Sequence, residues 1–148
     1  CFTGDVKYSR TIHSLVYLLS KLNILTDFHF VCNKELKPEG EFMDFLKSIK
    51  NKFYFYYNIN SIIKYIDVLY VTRLQKERFN NENLENIIIN KEIIKDSKES
   101  MSIMHPLPRN NELSTDLDLD PRSKYFDQVK NGVFVRMAII DYIINLKC

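Results

Sequence analysis

Short apolar runs alternate along the chain with segments in which apolar residues recur every three or four positions. β-Strands are predicted by the runs at 1–3, 28–31, 53–57, 68–71 and 102–104. Helical spacing predicts helices at 11–22, at 41–51 and around 62–66, with two further helical pieces within 82–98. Strands that alternate with helices favour right-handed crossovers. The predicted fold class is therefore α/β, a three-layer α/β/α domain with a mostly parallel central sheet of four to five strands.

The last third of the chain holds a long irregular segment and a long apolar helix. Residues 106–121 show no clear period, and a loop of that length in a compact domain is usually functional. A final helix is predicted to begin after Asn131 and Gly132 and to run to about Leu146. It is apolar nearly all round, which is typical of a helix buried on more than one side. One face can pack on the sheet, and the other needs a second partner.

Composition restricts the class of protein without indicating its chemistry. The chain has 148 residues, of which 45% are hydrophobic and 27% charged, as in a globular domain. No apolar run has the length of a membrane span, and a net charge of +2 is too small to suggest a nucleic-acid surface. Cys1, Cys32 and Cys148 are odd in number and far apart. This pattern favours free thiols in a reducing compartment, so we expect a cytoplasmic protein.

Candidate chemistry lies where the predicted strands end, because open α/β sheets bind ligands beyond the carboxyl ends of their strands. Four segments follow strands in this way, at 4–10, near 33, at 72–78 and at 105–109. Arg10 follows Ser9, a candidate helix N-cap, so it is either a solvated arginine or part of an anion site at the helix end.

Arg73 directly follows the strand at 68–71, and Gln75 lies two residues further on. A guanidinium offers a planar fork of donors that suits a carboxylate or a phosphate. The alternative is a salt bridge at the rim to Glu77 or Asp67. The residues alone leave both interpretations open.

Two prolines end the strand at 102–104 and remove two backbone N–H groups. The carbonyls of Pro106 and Leu107 could then serve as fixed neutral acceptors, or the prolines could simply terminate an edge strand. The three histidines are too scattered for a metal cluster. The acidic stretch 116–120 has Pro121 where a calcium loop needs glycine. The turn at Gly4 lacks the second and third glycines of a dinucleotide-binding fingerprint, so neither a metal nor another cofactor is expected.

Four motifs occur in order along the chain: GDVKYSRTIHS at 4–14, YVTRLQKER at 70–78, MHPLPR at 104–109 and NGVFVR at 131–136. Together they resemble the aspartate-domain motifs of aspartate carbamoyltransferases, over essentially the whole chain. The ornithine-using relatives carry a cysteine in place of Pro106 and lack the Thr-Arg-x-Gln segment. The resemblance therefore favours the enzymes that use aspartate.

The resemblance implies the aspartate-binding half of an enzyme that transfers the carbamoyl group of carbamoyl phosphate to L-aspartate. The products are N-carbamoyl-L-aspartate and phosphate, in de novo pyrimidine biosynthesis. Arg10 matches the arginine that holds the α-carboxylate, and Arg73 and Gln75 match the groups that hold the β-carboxylate. The carbonyls of Pro106 and Leu107 match those that orient the reacting groups. Supporting positions are Asp5, Arg78 on the loop that closes over substrate, and Arg136 in a structural ion pair.

By the same resemblance, residues 1–148 form the C-terminal half of a catalytic chain, and the carbamoyl-phosphate-binding domain is missing. The intact enzyme is expected to be a homotrimer, with no nucleic acid or membrane partner. The fragment alone is expected to be inactive and to self-associate through the last helix. A lid is expected from 76 to about 86. Two other interpretations remain, namely a catalytically silent assembly or regulatory domain and an unrelated anion-binding module.

Overall fold

The computed structural model of the chain describes residues 1–22, 25–74 and 87–146. Five strands form one sheet: β1 Phe2–Thr3, β2 Phe28–Val31, β3 Phe53–Tyr56, β4 Val68–Val71 and β5 Ser102–Met104. All neighbouring strands are parallel, and their order is β3-β2-β1-β4-β5. The predicted parallel α/β sheet is confirmed. The order reverses beside β1, because β2 and β3 lie on one side of it and β4 and β5 on the other.

Among the described residues, four α-helices accompany the strands: α1 Arg10–Lys21, α2 Glu41–Ser48, α3 Lys91–Ile94 and α4 Tyr125–Asn145. The predicted helix at 41–51 ends earlier, because Ile49 is already extended. The predicted helix around 62–66 consists of two 3-10 turns, Ile59–Ser61 and Ile63–Tyr65. Within 82–98, α3 is the helical piece in the described part, and 82–86 lie outside it.

Each face of the sheet carries its own hydrophobic core. On one face Phe28 and Phe30 of β2 pack with Ile12 and Val16 of α1 and Leu46 of α2. On the opposite face, strand side chains that alternate with these form the second core, among them Val31, Leu69 and Val71. They pack with Ile94 of α3 and with Tyr125 at the start of α4. Fully burying a side chain of this size contributes roughly 1.5–3 kcal/mol, so both helical layers stabilise the sheet.

The last helix differs from its prediction in both its start and its burial. It begins at Tyr125, and Gly132 lies inside it with the guanidinium of Arg136 about 3.4 Å from where a Cβ would stand. The earlier start follows from Tyr125, which is fully buried and ties the first turn to the core. Beyond Gly132 the helix is exposed, with Phe134 at 69% and Ile144 at 74%, so the predicted burial on the sheet is wrong. No described helix, α4 included, combines the length and apolarity that crossing a membrane requires.

β1 and β4 approach most closely just beyond their carboxyl ends. Gly4 has a φ of 102°, and a Cβ at this position would overlap the carbonyl oxygen of Thr72 and lie 2.8 Å from its Oγ1. The Thr72 N–H donates to the carbonyl of Thr3 at 2.9 Å, and the Asp5 N–H donates to Thr72 Oγ1 at 3.2 Å. Only glycine permits both this backbone conformation and this approach.

Two bidentate ion pairs hold the long segment 106–121 and its continuation. Arg109 binds both carboxylate oxygens of Asp118, and the hydroxyl of Tyr125 donates to the same carboxylate at 2.6 Å. Arg122 binds Asp120 through two nitrogens at 2.9 and 2.8 Å. Hydrogen bonds from these arginines lower the pKa of Asp118 and of Asp120 to about 2, from the ordinary 3.8. The segment is therefore ordered by charge as well as by packing.

We expect Gly4→Ala to lower the free energy of unfolding by about 3 kcal/mol or more. Left-handed backbone strain contributes ~1–2 kcal/mol and overpacking against Thr72 ~1–3 kcal/mol. Gly40→Ala is the matched control, because Gly40 has a φ of 60° but nothing within 4 Å of its added Cβ. It should lose the strain contribution alone, about 1–2 kcal/mol. Urea unfolding of the two variants measures the difference, and equal losses would contradict the close approach.

We expect the stability of the fold to fall as the pH drops from about 4 to about 2. Asp118 and Asp120 protonate near pH 2 when folded but near pH 3.8 when unfolded, so the unfolded chain takes up protons first in this range. Each pair should contribute about 1–2 kcal/mol at neutral pH, after allowance for its partial exposure to solvent. Thermal unfolding of Asp118→Asn between pH 5 and 2 should show a flatter dependence. Asp44→Asn, at a side chain 76% exposed on α2, should leave the slope unchanged.

Candidate functional site

A cavity of about 320 Å³ lies beyond the carboxyl ends of β1, β4 and β5. This is where the strand order reverses, the position at which open parallel sheets bind ligands. Three predicted segments line it together: Asp5, Tyr8, Ser9, Arg10, Thr11, Thr72, Arg73, His105, Pro106, Leu107 and Pro108. The fold thus brings Arg10, Arg73, Pro106 and Leu107 to one place.

A larger cavity, about 640 Å³, lies at the opposite edge of the sheet, between the ends of α1 and α2. It is lined by Lys21, Lys50 and Lys52, among others, and is open on the solvent side. Its position at the amino ends of β2 and β3 is not where this sheet type places ligands. We therefore assign the functional site to the smaller cavity.

The turn from β1 into α1 places Arg10 at the mouth of the site. Asp5 is buried, and its Oδ1 accepts a hydrogen bond from the Tyr8 N–H at 3.0 Å. Ser9 is the N-cap of α1, as predicted, and its Oγ accepts from the Ile12 N–H at 3.4 Å. Arg10 is the first helical residue, and the first turn of α1 holds no acidic residue. The helix dipole and the guanidinium therefore both favour an anion here.

Arg73 follows β4 and is half-buried beside Thr72. Asp67, its possible rim partner, precedes β4 and pairs with Lys98 at 2.6 Å. The two arginines thus reach the cavity from two different strands. Asp5 is the one carboxylate among the described lining residues, and it is turned into the β1–α1 turn, so the cavity is electropositive.

The loop after β5 supplies the remaining wall. Leu107 has a positive φ of 48°, and the peptide bond between Leu107 and Pro108 is cis. The Leu107 N–H donates to Nδ1 of His105 at 2.9 Å, so the one N–H between the two prolines is used within the loop. Pro106 and Leu107 therefore present carbonyl oxygens, rather than N–H donors, for a ligand.

Beneath this loop His105 and Glu112 form a fully buried pair, with Nε2 and Oε1 3.0 Å apart. Burial raises the pKa of Glu112, but hydrogen bonds from His105 and from the Asn110 N–H outweigh burial and leave the pKa lowered. The sequence assigned no role to His105. A glutamate seven residues downstream of a histidine is too common a spacing to have signalled this contact.

Other predicted positions lie elsewhere. Gln75, Arg78 and the lid from 76 to about 86 fall outside the described residues. Arg136 lies on the exposed part of α4 and has no ion pair with any residue that the structure describes, so its structural ion pair stays a prediction. The segment near Asn33 does not line the cavity. Burial raises the pKa of the neighbouring Cys32 to about 12, so its thiol remains protonated and is not a nucleophile.

The arrangement suits a small dianion that also carries a hydrogen-bond donor. Two guanidinium groups can each hold a carboxylate or phosphate, and the carbonyl wall can accept from a neutral amine or amide. No group of three or more metal-ligating side chains occurs among the described residues. The lining therefore offers an anionic ligand two guanidinium groups and neutral carbonyl acceptors.

Comparison with known proteins agrees with this geometry. Residues 1–143 match the family model "Aspartate/ornithine carbamoyltransferase, Asp/Orn binding domain". The chain is 40% identical to the aspartate carbamoyltransferase catalytic subunit of Wigglesworthia glossinidia brevipalpis, over 97% of this chain and 48% of that protein. It is 38% identical to catalytic subunit 2 of Shewanella halifaxensis, over 97% of this chain and 47% of that protein. The chain thus spans about half the length of the curated relatives it matches.

Solved structures show the same likeness. The catalytic subunit of M. jannaschii aspartate transcarbamoylase superposes with a TM-score of 0.86 at 42% identity, over 97% of this chain and 47% of that one. Aspartate transcarbamoylase from Trypanosoma cruzi, in complex with aspartate and phosphate, superposes with a TM-score of 0.82 at 36% identity, over 94% of this chain and 45% of that one. The chain belongs to the aspartate/ornithine carbamoyltransferase family, in which it corresponds to the Asp/Orn-binding domain.

Proposed function

We propose that this domain is the L-aspartate-binding half of an aspartate carbamoyltransferase. The enzyme transfers the carbamoyl group of carbamoyl phosphate to the amine of L-aspartate, giving N-carbamoyl-L-aspartate and phosphate in de novo pyrimidine biosynthesis. The observation that carries the proposal is the convergence of Arg10, Arg73 and the Pro106–Leu107 carbonyl wall on one cavity. Two further findings support the proposal: the relatives are named aspartate carbamoyltransferases, and this chain matches about half of their length.

Each part of the cavity has a proposed role. Arg10, at the N-terminus of α1, holds the α-carboxylate, where the helix dipole adds to the guanidinium charge. Arg73 holds the β-carboxylate together with Gln75. The carbonyls of Pro106 and Leu107 accept hydrogen bonds from the amine and direct its lone pair. Asp5 supports the β1–α1 turn, Arg78 belongs to the loop that closes over the substrate, and Arg136 makes a structural ion pair.

The reaction needs little covalent chemistry from these groups. The neutral amine attacks the carbonyl carbon of carbamoyl phosphate, a C–N bond forms, the C–O bond to phosphate breaks, and the departing phosphate takes up the proton that the amine loses. Neutral carbonyl acceptors suit this step, because a carboxylate beside the amine would stabilise the unreactive ammonium ion. Catalysis then consists mainly of positioning, because Arg10 and Arg73 already match the charges of the two carboxylates.

Aspartate fits the site better than ornithine does. The second charged group of aspartate is an anion and suits Arg73, whereas the side-chain ammonium of ornithine would be repelled by it. Pro106 stands where the ornithine-using relatives carry a cysteine. These two features select the dicarboxylate amino acid.

The rest of the reaction belongs to the intact enzyme. Carbamoyl phosphate is held by the amino-terminal half of such an enzyme, in a cytoplasmic homotrimer, and this domain alone is inactive. The intact enzyme acts without a cofactor, and its partners are the two small substrates rather than nucleic acid or membrane.

In the intact enzyme, Arg73→Ala should weaken the use of aspartate. Loss of hydrogen bonds to a charged carboxylate costs roughly 1.5–3 kcal/mol, so kcat/KM for aspartate should fall about tenfold to a few hundredfold. Arg73→Lys should lose less, since it keeps the charge but not the fork. Lys47→Ala, at a side chain 64% exposed on α2, is the control and should leave kcat/KM unchanged. An Arg73→Ala enzyme with unaltered aspartate kinetics would refute the assignment.

We also expect the isolated chain to self-associate through α4. Its apolar side chains beyond Gly132 are exposed, among them Phe134 at 69%, Ile143 at 61% and Leu146 at 51%, and a patch of this kind promotes association. Sedimentation should show oligomers that Phe134→Lys dissociates, with the dissociation constant raised at least tenfold. Leu18→Lys, at a side chain 52% exposed on α1, should leave it unchanged. A monodisperse monomer at high concentration would contradict the expectation.

A further inference from the structure

The buried pair of His105 and Glu112 lies directly beneath the wall of the aspartate site. Both residues are 0% exposed, and His105 itself borders the cavity. One oxygen of Glu112 is buried without a hydrogen-bond partner among the described residues. A half-satisfied buried carboxylate costs stability, so stabilisation alone does not account for its presence.

The hydrogen bonds define the protonation of the imidazole. The Leu107 N–H donates to His105 Nδ1 at 2.9 Å, so Nδ1 carries no proton. In a neutral imidazole the proton is then on Nε2, which donates to Glu112 Oε1 at 3.0 Å. A proton on Nδ1 would oppose the Leu107 N–H and break that contact.

The same pair organises the backbone on both sides of the carbonyl wall. The Asn110 N–H donates to Glu112 Oε1 at 2.9 Å, and the His105 N–H donates to Gln128 Oε1 on α4 at 3.1 Å. Pro106 and Pro108 have no N–H to donate. The N–H groups of residues 105, 107 and 110 are thus all directed to side chains of the domain. Within residues 105–108 the backbone polar groups left for a ligand are therefore carbonyl oxygens.

The base of this network is itself anchored. The carbonyl of Glu112 accepts from the Ile89 N–H at 2.9 Å, and the carbonyl of Ile89 accepts from the Ser114 N–H at 2.9 Å. Leu107, in contrast, has a positive φ of 48°, which a leucine rarely adopts unless its surroundings impose it. The bond to His105 Nδ1 ties the Leu107 N–H to a buried side chain while the backbone is in this conformation.

We infer that neutral His105 and ionised Glu112 are positioning residues for carbamoyl transfer. His105 holds Leu107 through Nδ1, and Glu112 holds His105 through Nε2. The carbonyls of Pro106 and Leu107 thereby remain fixed as acceptors for the substrate amine. The inference rests on the proposed function of the cavity, but the protonation that it requires is a property of this chain alone.

The first test measures the tautomer in the isolated chain. Long-range ¹H–¹⁵N correlation spectra of the histidine side chains should show His105 with an unprotonated Nδ1 and a protonated Nε2. A proton on Nδ1, in either a neutral or a charged ring, would overturn the inference. This measurement needs no substrate and no variant.

The second test separates the two contacts in the intact enzyme. His105→Asn places an amide oxygen near the position of Nδ1 and can still accept from Leu107. His105→Gln reaches the position of Nε2 and can still donate to Glu112, but it leaves Leu107 without its acceptor. We expect His105→Gln to lower kcat at least tenfold with KM for aspartate changed less than about threefold. His105→Asn keeps the acceptor for Leu107 but loses the contact with Glu112, so its kcat should lie between that of His105→Gln and that of the unsubstituted enzyme.

The outcomes distinguish this inference from the proposed function. Unaltered kcat in His105→Gln, or equal losses in both variants that follow their loss of thermal stability, would overturn positioning and leave the function intact. An unsubstituted intact enzyme that makes no N-carbamoyl-L-aspartate would refute the proposed function. In that case the tautomer of His105 in the isolated chain would still show whether His105 and Glu112 are hydrogen-bonded as inferred.

Discussion

The structure depends on the close approach of two backbone segments just beyond the carboxyl ends of β1 and β4. Gly4 has no side chain, and the carbonyl of Thr72 occupies the space that a Cβ would need. This contact joins Gly4 and Thr72, which are 68 positions apart in sequence, and sets the entry of the chain into α1. Arg10 and Arg73 reach a common cavity because these two turns lie against each other.

Buried polarity concentrates around that cavity. In the described part of the chain, the buried polar or charged residues are Thr3, Asp5, Thr72, His105 and Glu112. All five lie at the carboxyl ends of β1, β4 and β5 or directly beneath them. Burying such groups opposes folding unless they are paired, so their concentration marks the place where geometry takes precedence over stability. The apolar cores on the two faces of the sheet stabilise the domain around them.

Charge has different uses in different parts of the domain. Arg109 and Arg122 are each held by an aspartate close in sequence, and they order the segment after β5. Arg10 stands at the start of a helix whose first turn has no acidic residue, which suits an external anion. The exposed apolar length of α4 is a third feature, since no described part of the chain covers it. Together these features suit a domain with an electropositive cavity at one edge of its sheet and an apolar helix surface that its described residues leave exposed.

The sequence by itself determined the strands, the parallel sheet that they form and the four motifs that resemble those of aspartate carbamoyltransferases. β2, β4 and β5 have the predicted bounds because each is a short run rich in apolar residues with a polar or turn-forming residue next to at least one end. Only the tertiary structure decided the start of α4, where the buried ring of Tyr125 outweighs the turn tendency of Asn131 and Gly132. It also decided the pairing of His105 with Glu112. Hydrophobic periodicity depends on residues that are neighbours in sequence, whereas contacts across the fold depend on where the whole chain places each side chain.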